Sequence, residues 1–180
     1  MSEPGQRTEL PLGVQRRPLV VQRDARGSFS EIYRAEWGVG LDPVQWSVST
    51  SHAGTLRGMR VHPRHDDYLV VVQGRTSIGL RDLRPGSPTE HCSALVELCG
   101  RDPTGLFIPH GVGHGFYFHE ASIYMLGVSS YFDETDELGF HWADPVLEIR
   151  WPVTSPTLSE RDAALRPLSA IEGLIPPWRP

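Results

Sequence analysis

The chain has 180 residues, enough for one domain with a sizeable core and too few to expect two. Its 39% hydrophobic and 22% charged residues are those of a globular protein, and no apolar run approaches the roughly 18 residues of a membrane span. A formal charge of −5 gives no global pull toward nucleic acid or an anionic membrane, so local arginines must hold any anionic ligand. Cys92 and Cys99 make neither a disulfide framework nor a zinc site, and we expect buried, unpaired thiols. The start MSEPGQRTEL lacks the apolar stretch of a signal peptide. The expectation is a cytoplasmic protein with no resident cofactor and no metal.

Residues 1–17 are polar, with Pro4, Gly5 and Pro11, and read as an N-terminal arm; residues 18–180 read as a single domain. Pro18–Gln22 predicts a strand, Asp24–Gly27 a turn, and Ser28–Trp37 a strand with Phe29 and Glu31 on one face. After a break at Gly38–Pro43, strands are expected at Val44–Thr50, Thr55–Val61 and Tyr68–Gln73. Gly74-Arg75 turns tightly into Thr76–Leu83, and Pro85–Pro88 is a loop. His91–Leu98, Leu106–Ile108 and His114–His119 follow. Ile123–Ser130 is so uniformly apolar or small that both its faces should be buried. Short strands between Gly/Pro turns argue for a β-barrel or sandwich. One short helix is expected late, capped by Thr157 or Ser159 and stopped by Pro167.

Several motifs stand in a fixed order. D-x-R-G-x-F-x-E spans Asp24–Glu31, and Q-x-S-x-S-x-S followed by G-x-L-R-G spans Gln45–Gly58. Downstream come D-L-R-x-G-S-P-T (Asp82–Thr89), I-P-x-G-x-x-H-G-F (Ile108–Phe116), W-x-D-P-x-L-x-I-x-W-P (Trp142–Pro152) and L-S-x-x-D (Leu158–Asp162). The series resembles the dTDP-4-dehydrorhamnose 3,5-epimerase family over roughly residues 18 to 168. The resemblance implies an all-β, cupin-type (double-stranded β-helix, or jelly-roll) barrel with a short C-terminal helix. It implies an epimerase-like isomerase of deoxysugar or secondary-metabolite biosynthesis, acting on a nucleotide-linked small molecule. A homodimer is also implied, because relatives pair through N-terminal strands that would protect open edges.

By the same resemblance, Arg26 and Arg57 hold the diphosphate, Phe29 stacks on the base and Glu31 meets its polar edge. Gln45 and Ser47 line that pocket, with Ser47 where an asparagine is usual, and His114 faces it. Guanidinium groups suit bidentate phosphate contacts, and an aromatic face suits a base. The plainer reading of the first motif is a surface pair, Arg26 with Glu31, beside a core Phe29.

The pattern breaks at the chemistry. Arg60 stands where the family has its histidine base, and arginine stays protonated near neutral pH. The enolate-stabilising lysine falls on Asp67 or Tyr68, and the tyrosine acid on Met125, with Tyr124 expected on the opposite face of the strand. Only the aspartate that orients the base has a match, Asp162. His62, two residues beyond Arg60, then becomes the candidate base, with Arg60 holding the developing oxyanion. Three alternatives stay open. One is a repurposed cupin acting as a cyclase or isomerase on a non-sugar natural-product intermediate. Another is a metal cupin using His62, Asp67 and His114, a ligand set suited to Fe(II), although Arg60 would oppose a cation. The third is a binding protein without catalysis. His65-Asp66-Asp67 reads most simply as a solvated loop, and His110, His119 and His141 as structural or surface residues.

Overall fold

The computed structural model describes residues 9–179. Among them are twelve strands: β1 (Gln15–Pro18), β2 (Gln22–Asp24), β3 (Gly27–Phe29), β4 (Gln45–Ser51), β5 (Leu56–Val61), β6 (Asp67–Gln73), β7 (Arg75–Asp82), β8 (Ser93–Cys99), β9 (Thr104–Ile108), β10 (Val112–Phe118), β11 (Ser122–Val128) and β12 (Leu138–Gly139). One five-stranded sheet runs β1-β9-β6-β11-β4, a second runs β12-β5-β10-β7-β8, and β2 and β3 form a separate hairpin. Every ladder is antiparallel. This is the expected all-β jelly roll.

Side-chain alternation explains the core. Leu69 and Val71 of β6, Ile78 and Leu80 of β7, Val96 and Leu98 of β8, and Leu106 and Ile108 of β9 point into one cluster between the sheets. Two further layers lie outside. Leu19, Val39 and Leu41 cover Tyr68, Val70 and Phe107 on the first sheet, while Phe140, Leu147, Leu168, Ile171 and Ile175 cover Met59 and Val61 on the second. Strand β6 is therefore buried on both faces. In β11, where that was expected, Ile123 and Met125 stay half-buried.

The loop after β7 is built on one carboxylate. Asp82 Oδ1 accepts from Arg84 N (3.1 Å) and Nε (2.8 Å), and Oδ2 accepts from Arg84 Nη2 (2.8 Å), Ser87 Oγ (2.7 Å) and Thr89 Oγ1 (2.7 Å). Burial alone would raise the Asp82 pKa, but the hydrogen bonds from Arg84, Thr89 and Ser87 outweigh it and hold the carboxyl below its ordinary value. Arg84 Nη2 also donates to Leu12 O (2.7 Å), which ties the N-terminal segment to this loop. The D-L-R-x-G-S-P-T motif thus has a structural role.

Several boundaries differ from expectation. The first strand is Gln15–Pro18 rather than Pro18–Gln22, and Val14 joins the core, so the described part of the N-terminal arm is integral to the barrel. Residues 1–8 of the arm lie outside the described residues. Strand structure after Ser28 ends at Phe29. The chain then wraps the first sheet as a cover, with a 3-10 turn at Ala35–Trp37 and Tyr68 Oη donating to Ile32 O (2.9 Å). The late helix is one turn, α1 (Glu160–Ala163), with Ser159 Oγ accepting from Asp162 N at 3.0 Å. Cys92 and Cys99 are free and half-buried. Among the described residues no helix is long and apolar enough to cross a membrane.

Candidate active site at the barrel mouth

The site starts from one extra residue in β5. Arg57 lies opposite Phe116 and Gly58 opposite Gly115, but His114 lies opposite Arg60, which leaves Met59 unpaired in a bulge. Gly58 has φ +111°, and a Cβ there would stand 2.9 Å from Gly115 Cα, so only glycine lets the two backbones meet. The bulge sends Met59 outward to join Val61 and Phe140. Arg57 and Arg60, three apart in sequence, consequently share the face that carries Phe116 and His114.

Beyond Arg60, three residues from separate strand ends converge. His62 follows β5, Asp67 opens β6 and His114 sits in β10. Asp67 Oδ2 is 3.3 Å from His114 Nε2 and 3.6 Å from His62 Nε2. His62 Nδ1 lies 3.0 Å from Asp136 O and His114 Nδ1 lies 3.2 Å from Val112 O. A carbonyl can only accept, so each Nδ1 carries the hydrogen and each Nε2 presents a lone pair. His65 stacks on His62 at 3.9 Å, with its Nδ1 2.7 Å from Asp136 Oδ2. Burial, helped by His65, lowers the His62 pKa to about 4, and burial with His62 nearby lowers His114 to about 3. Burial, reinforced by Asp66 and Asp136, pushes Asp67 well above the ordinary carboxylate value. These directions agree on one state, in which the histidine–aspartate contacts join neutral groups rather than ions. A neutral, weakly basic His62 is a poorer proton acceptor than the sequence implied.

Arg60 is tied down. Its Nε donates to Glu137 Oε1 (2.9 Å), its Nη1 to Met59 O (3.1 Å) and its Nη2 to Asp162 Oδ1. Asp162, expected to orient a base, is instead the counter-ion of Arg60. Three of the five guanidinium N–H groups are engaged, which restricts Arg60 as an oxyanion donor.

The inward face of β4 is polar. Strand β4 is the free edge of its sheet, and Gln45, Ser47 and Ser49 lie opposite Val128, Leu126 and Tyr124 on the inward face. Arg57 closes the row, its Nε donating to Ser51 Oγ (2.8 Å) and its Nη2 to Thr50 O (3.1 Å). The structure thus puts Gln45, Ser47, Arg57, Arg60 and His114 on inward faces of β4, β5 and β10, with His62 beside His114 and Asp162 bonded to Arg60.

Arg26, Phe29 and Glu31 sit apart from them. Arg26 pairs with Asp24 (2.6 Å), Glu31 pairs with Arg34 (2.6 Å), and Phe29 is 61% exposed beside a groove of about 500 Å³. Neither a surface Arg26–Glu31 pair nor a core Phe29 is found. Among the described residues no hydrogen bond or ion pair joins this hairpin to Arg57.

Other expectations are corrected. His65 and Asp67 are buried, not solvated, and Asp66 is fixed by His110, whose N and Nδ1 both lie 2.8 Å from Asp66 Oδ1. Of the two residues expected at the lysine position, Asp67 enters the cluster while Tyr68 turns to the outer layer. Tyr124, expected to face away, is in the core against Phe116 (5.9 Å) and Phe118 (5.5 Å). A register shift between Ile123 and Tyr124 against β6 accompanies this placement. Sequence reading missed Asp136 and Glu137 altogether, because only the fold carries that loop to Arg60, His62 and His65.

Residues 9–170 match the profile of a protein family described as dTDP-4-dehydrorhamnose 3,5-epimerase. The chain belongs to that family. It is 32% identical over 169 residues to the dTDP-4-dehydrorhamnose 3,5-epimerase of Mycobacterium tuberculosis, covering 86% of this chain and 84% of the relative. It is 34% identical over 167 residues to the dTDP-4-dehydrorhamnose 3-epimerase of Streptomyces niveus, covering 86% and 80%. Among solved structures, the Legionella pneumophila epimerase in complex with dTDP-4-keto-L-rhamnose superposes with a TM-score of 0.86 at 30% identity, covering 93% of this chain and 95% of that one. Family membership makes this an epimerase-type isomerase.

Proposed function

We propose that the protein binds a dTDP-linked 4-keto-6-deoxyhexose at the barrel mouth and exchanges a proton at a carbon beside the keto group, as an isomerase of deoxysugar biosynthesis. One observation carries the reading. The inward polar row of β4, Arg57 and the buried His62–Asp67–His114 cluster face the same barrel interior, so a phosphate-holding cation and the reacting cluster serve one ligand. Relatives solved with dTDP and with dTDP-4-keto-L-rhamnose support the ligand class. Arg57, Gln45 and Ser47 hold the nucleotide half. The reacting half lies against His62 and His114, while Arg60 and Asp162 brace the rim. Arg26, Phe29 and Glu31 act on the nucleotide bound by a second copy, in a homodimer. A two-stranded hairpin alone is marginal in water, and the open edge of β4 offers it a partner.

The test is solvent deuterium exchange into dTDP-4-keto-6-deoxyglucose, followed by NMR. Exchange at C3 or C5, lost in His62→Ala with the fold intact, is the expected result. Arg57→Ala is expected to abolish dTDP binding in calorimetry, and unchanged affinity would remove the nucleotide assignment. Asp67 in place of a lysine favours a second reading, a non-nucleotide substrate in the same mouth. Absence of both exchange and dTDP binding in the parent protein would establish that one.

A further inference from the structure

Asp67 is 2% exposed, and its Oδ1 has no hydrogen-bond partner. Leaving a carboxylate oxygen buried and unpaired is unfavourable, so such a group calls for an explanation. Its surroundings make the problem sharper. Because both imidazoles spend their N–H on backbone carbonyls, the Nε2 atoms of His62 and His114 and a carboxylate oxygen of Asp67 meet as three acceptors. These three atoms lie within 4.8 Å of one another. Acceptors converge in this way around a shared positive centre, either a proton or a metal ion.

We propose that His62, Asp67 and His114 bind one divalent first-row transition-metal ion, of the zinc or ferrous class, with its remaining coordination positions turned to the barrel mouth. Spacing supports an ion. Ligand bonds of about 2.1 Å set neighbouring ligand atoms about 3.0–3.4 Å apart. The carboxylate-to-imidazole distances of 3.3 and 3.6 Å are within a few tenths of that range. The surrounding contacts also match, since a metal-bound histidine characteristically gives its other N–H to a carbonyl or carboxylate. Two histidines and one carboxylate on one side of an ion leave sites for a substrate oxygen. Arg60, the cation that would oppose such an ion, has its charge met by Glu137 and Asp162. His65 stacks on one ligand and is held by Asp136, which stiffens the set.

The site does not depend on the identity of the substrate, and it can be tested without any nucleotide. Full-length protein is stripped with EDTA, dialysed and titrated with Co²⁺, using calorimetry and visible absorption. One Co²⁺ per chain, a visible ligand-field band and a rise in Tm with Co²⁺ are expected. Asp67→Asn and His114→Gln, checked for fold by circular dichroism, should bind at least about tenfold more weakly. His110→Ala should bind like the parent. If either ligand variant fails to fold, proton NMR of the Co²⁺-loaded parent replaces it, with two paramagnetically shifted imidazole N–H signals expected. No saturable binding, undiminished binding in both variants, or no shifted imidazole signal would overturn the site and leave a proton as the shared centre. Metal analysis of untreated protein then separates zinc from iron. Failure here leaves the dTDP assignment standing, and failure to bind dTDP leaves the metal site standing.

Discussion

Two buried carboxylates, Asp82 and Asp67, sit in the same barrel under opposite conditions. Asp82 accepts five hydrogen bonds from Arg84, Ser87 and Thr89, and both its oxygens are satisfied. Asp67 faces two imidazole lone pairs with one oxygen unpaired. Burial pushes both toward neutrality, and only Asp82 has donors enough to stay charged. The comparison teaches what burial alone does not. A carboxylate with a complete set of donors organises a loop, whereas one left among acceptors is held ready for something that is not part of the chain.

The largest effect should come from breaking the satisfied member. Asp82→Ala leaves Arg84 buried without its counter-ion and should cost about 3–5 kcal/mol in denaturant unfolding. A cost below about 1 kcal/mol would mean the network is not what holds the loop. Acid should reach the same carboxylate. Its folded pKa is depressed, so its contribution is complete above the unfolded value of about 3.9 and is lost as pH falls through the folded value. Parent stability should therefore decline below about pH 4 with a component that Asp82→Asn lacks.

Asp67→Asn should do much less. An amide replaces the O–H that the neutral carboxyl turns to the facing lone pairs, and metal-free protein should change by no more than about 1 kcal/mol. A larger gain would show that the free protein leaves those lone pairs without a donor. The smallest effect belongs to Asp66, the half-exposed neighbour. Its hydrogen bond raises the His110 pKa, so the contribution is complete below about pH 6.5 and fades as pH rises through the folded value. His110→Asn should change stability by less than about 1 kcal/mol at pH 6, and by less again at pH 9, when unfolding is compared at the two pH values.

The strand ladder was largely legible, because alternation, Gly74 and the proline-rich turns are local signals. Gln45, Ser47 and Arg57 were singled out by motif resemblance, and strand alternation is enough to put Gln45 and Ser47 on one face of β4. What escaped reading depends on register. Met59 looks like any apolar residue in a strand, yet as the unpaired bulge residue it decides where Arg57 and Arg60 point. Which face of β11 looks inward was not legible either, for Tyr124 and Met125 take opposite faces as parity requires and the inward one belongs to Tyr124. His65 looked solvated because its partner, Asp136, is 71 residues away. Arg60 and Asp162 were each singled out, but nothing local indicated that 102 residues of separation would close into one ion pair.

That single unpaired residue in β5 also divides labour along the strand. Arg57, before the bulge, is anchored to Ser51 and Thr50 of the neighbouring edge, while Arg60, after it, is anchored to the C-terminal segment. Each arginine answers to a different part of the polypeptide, so a change at one leaves the support of the other in place. A lineage carrying this strand can exchange its reacting groups while keeping its grip on the carrier, and new chemistry can be tried without first losing the ligand.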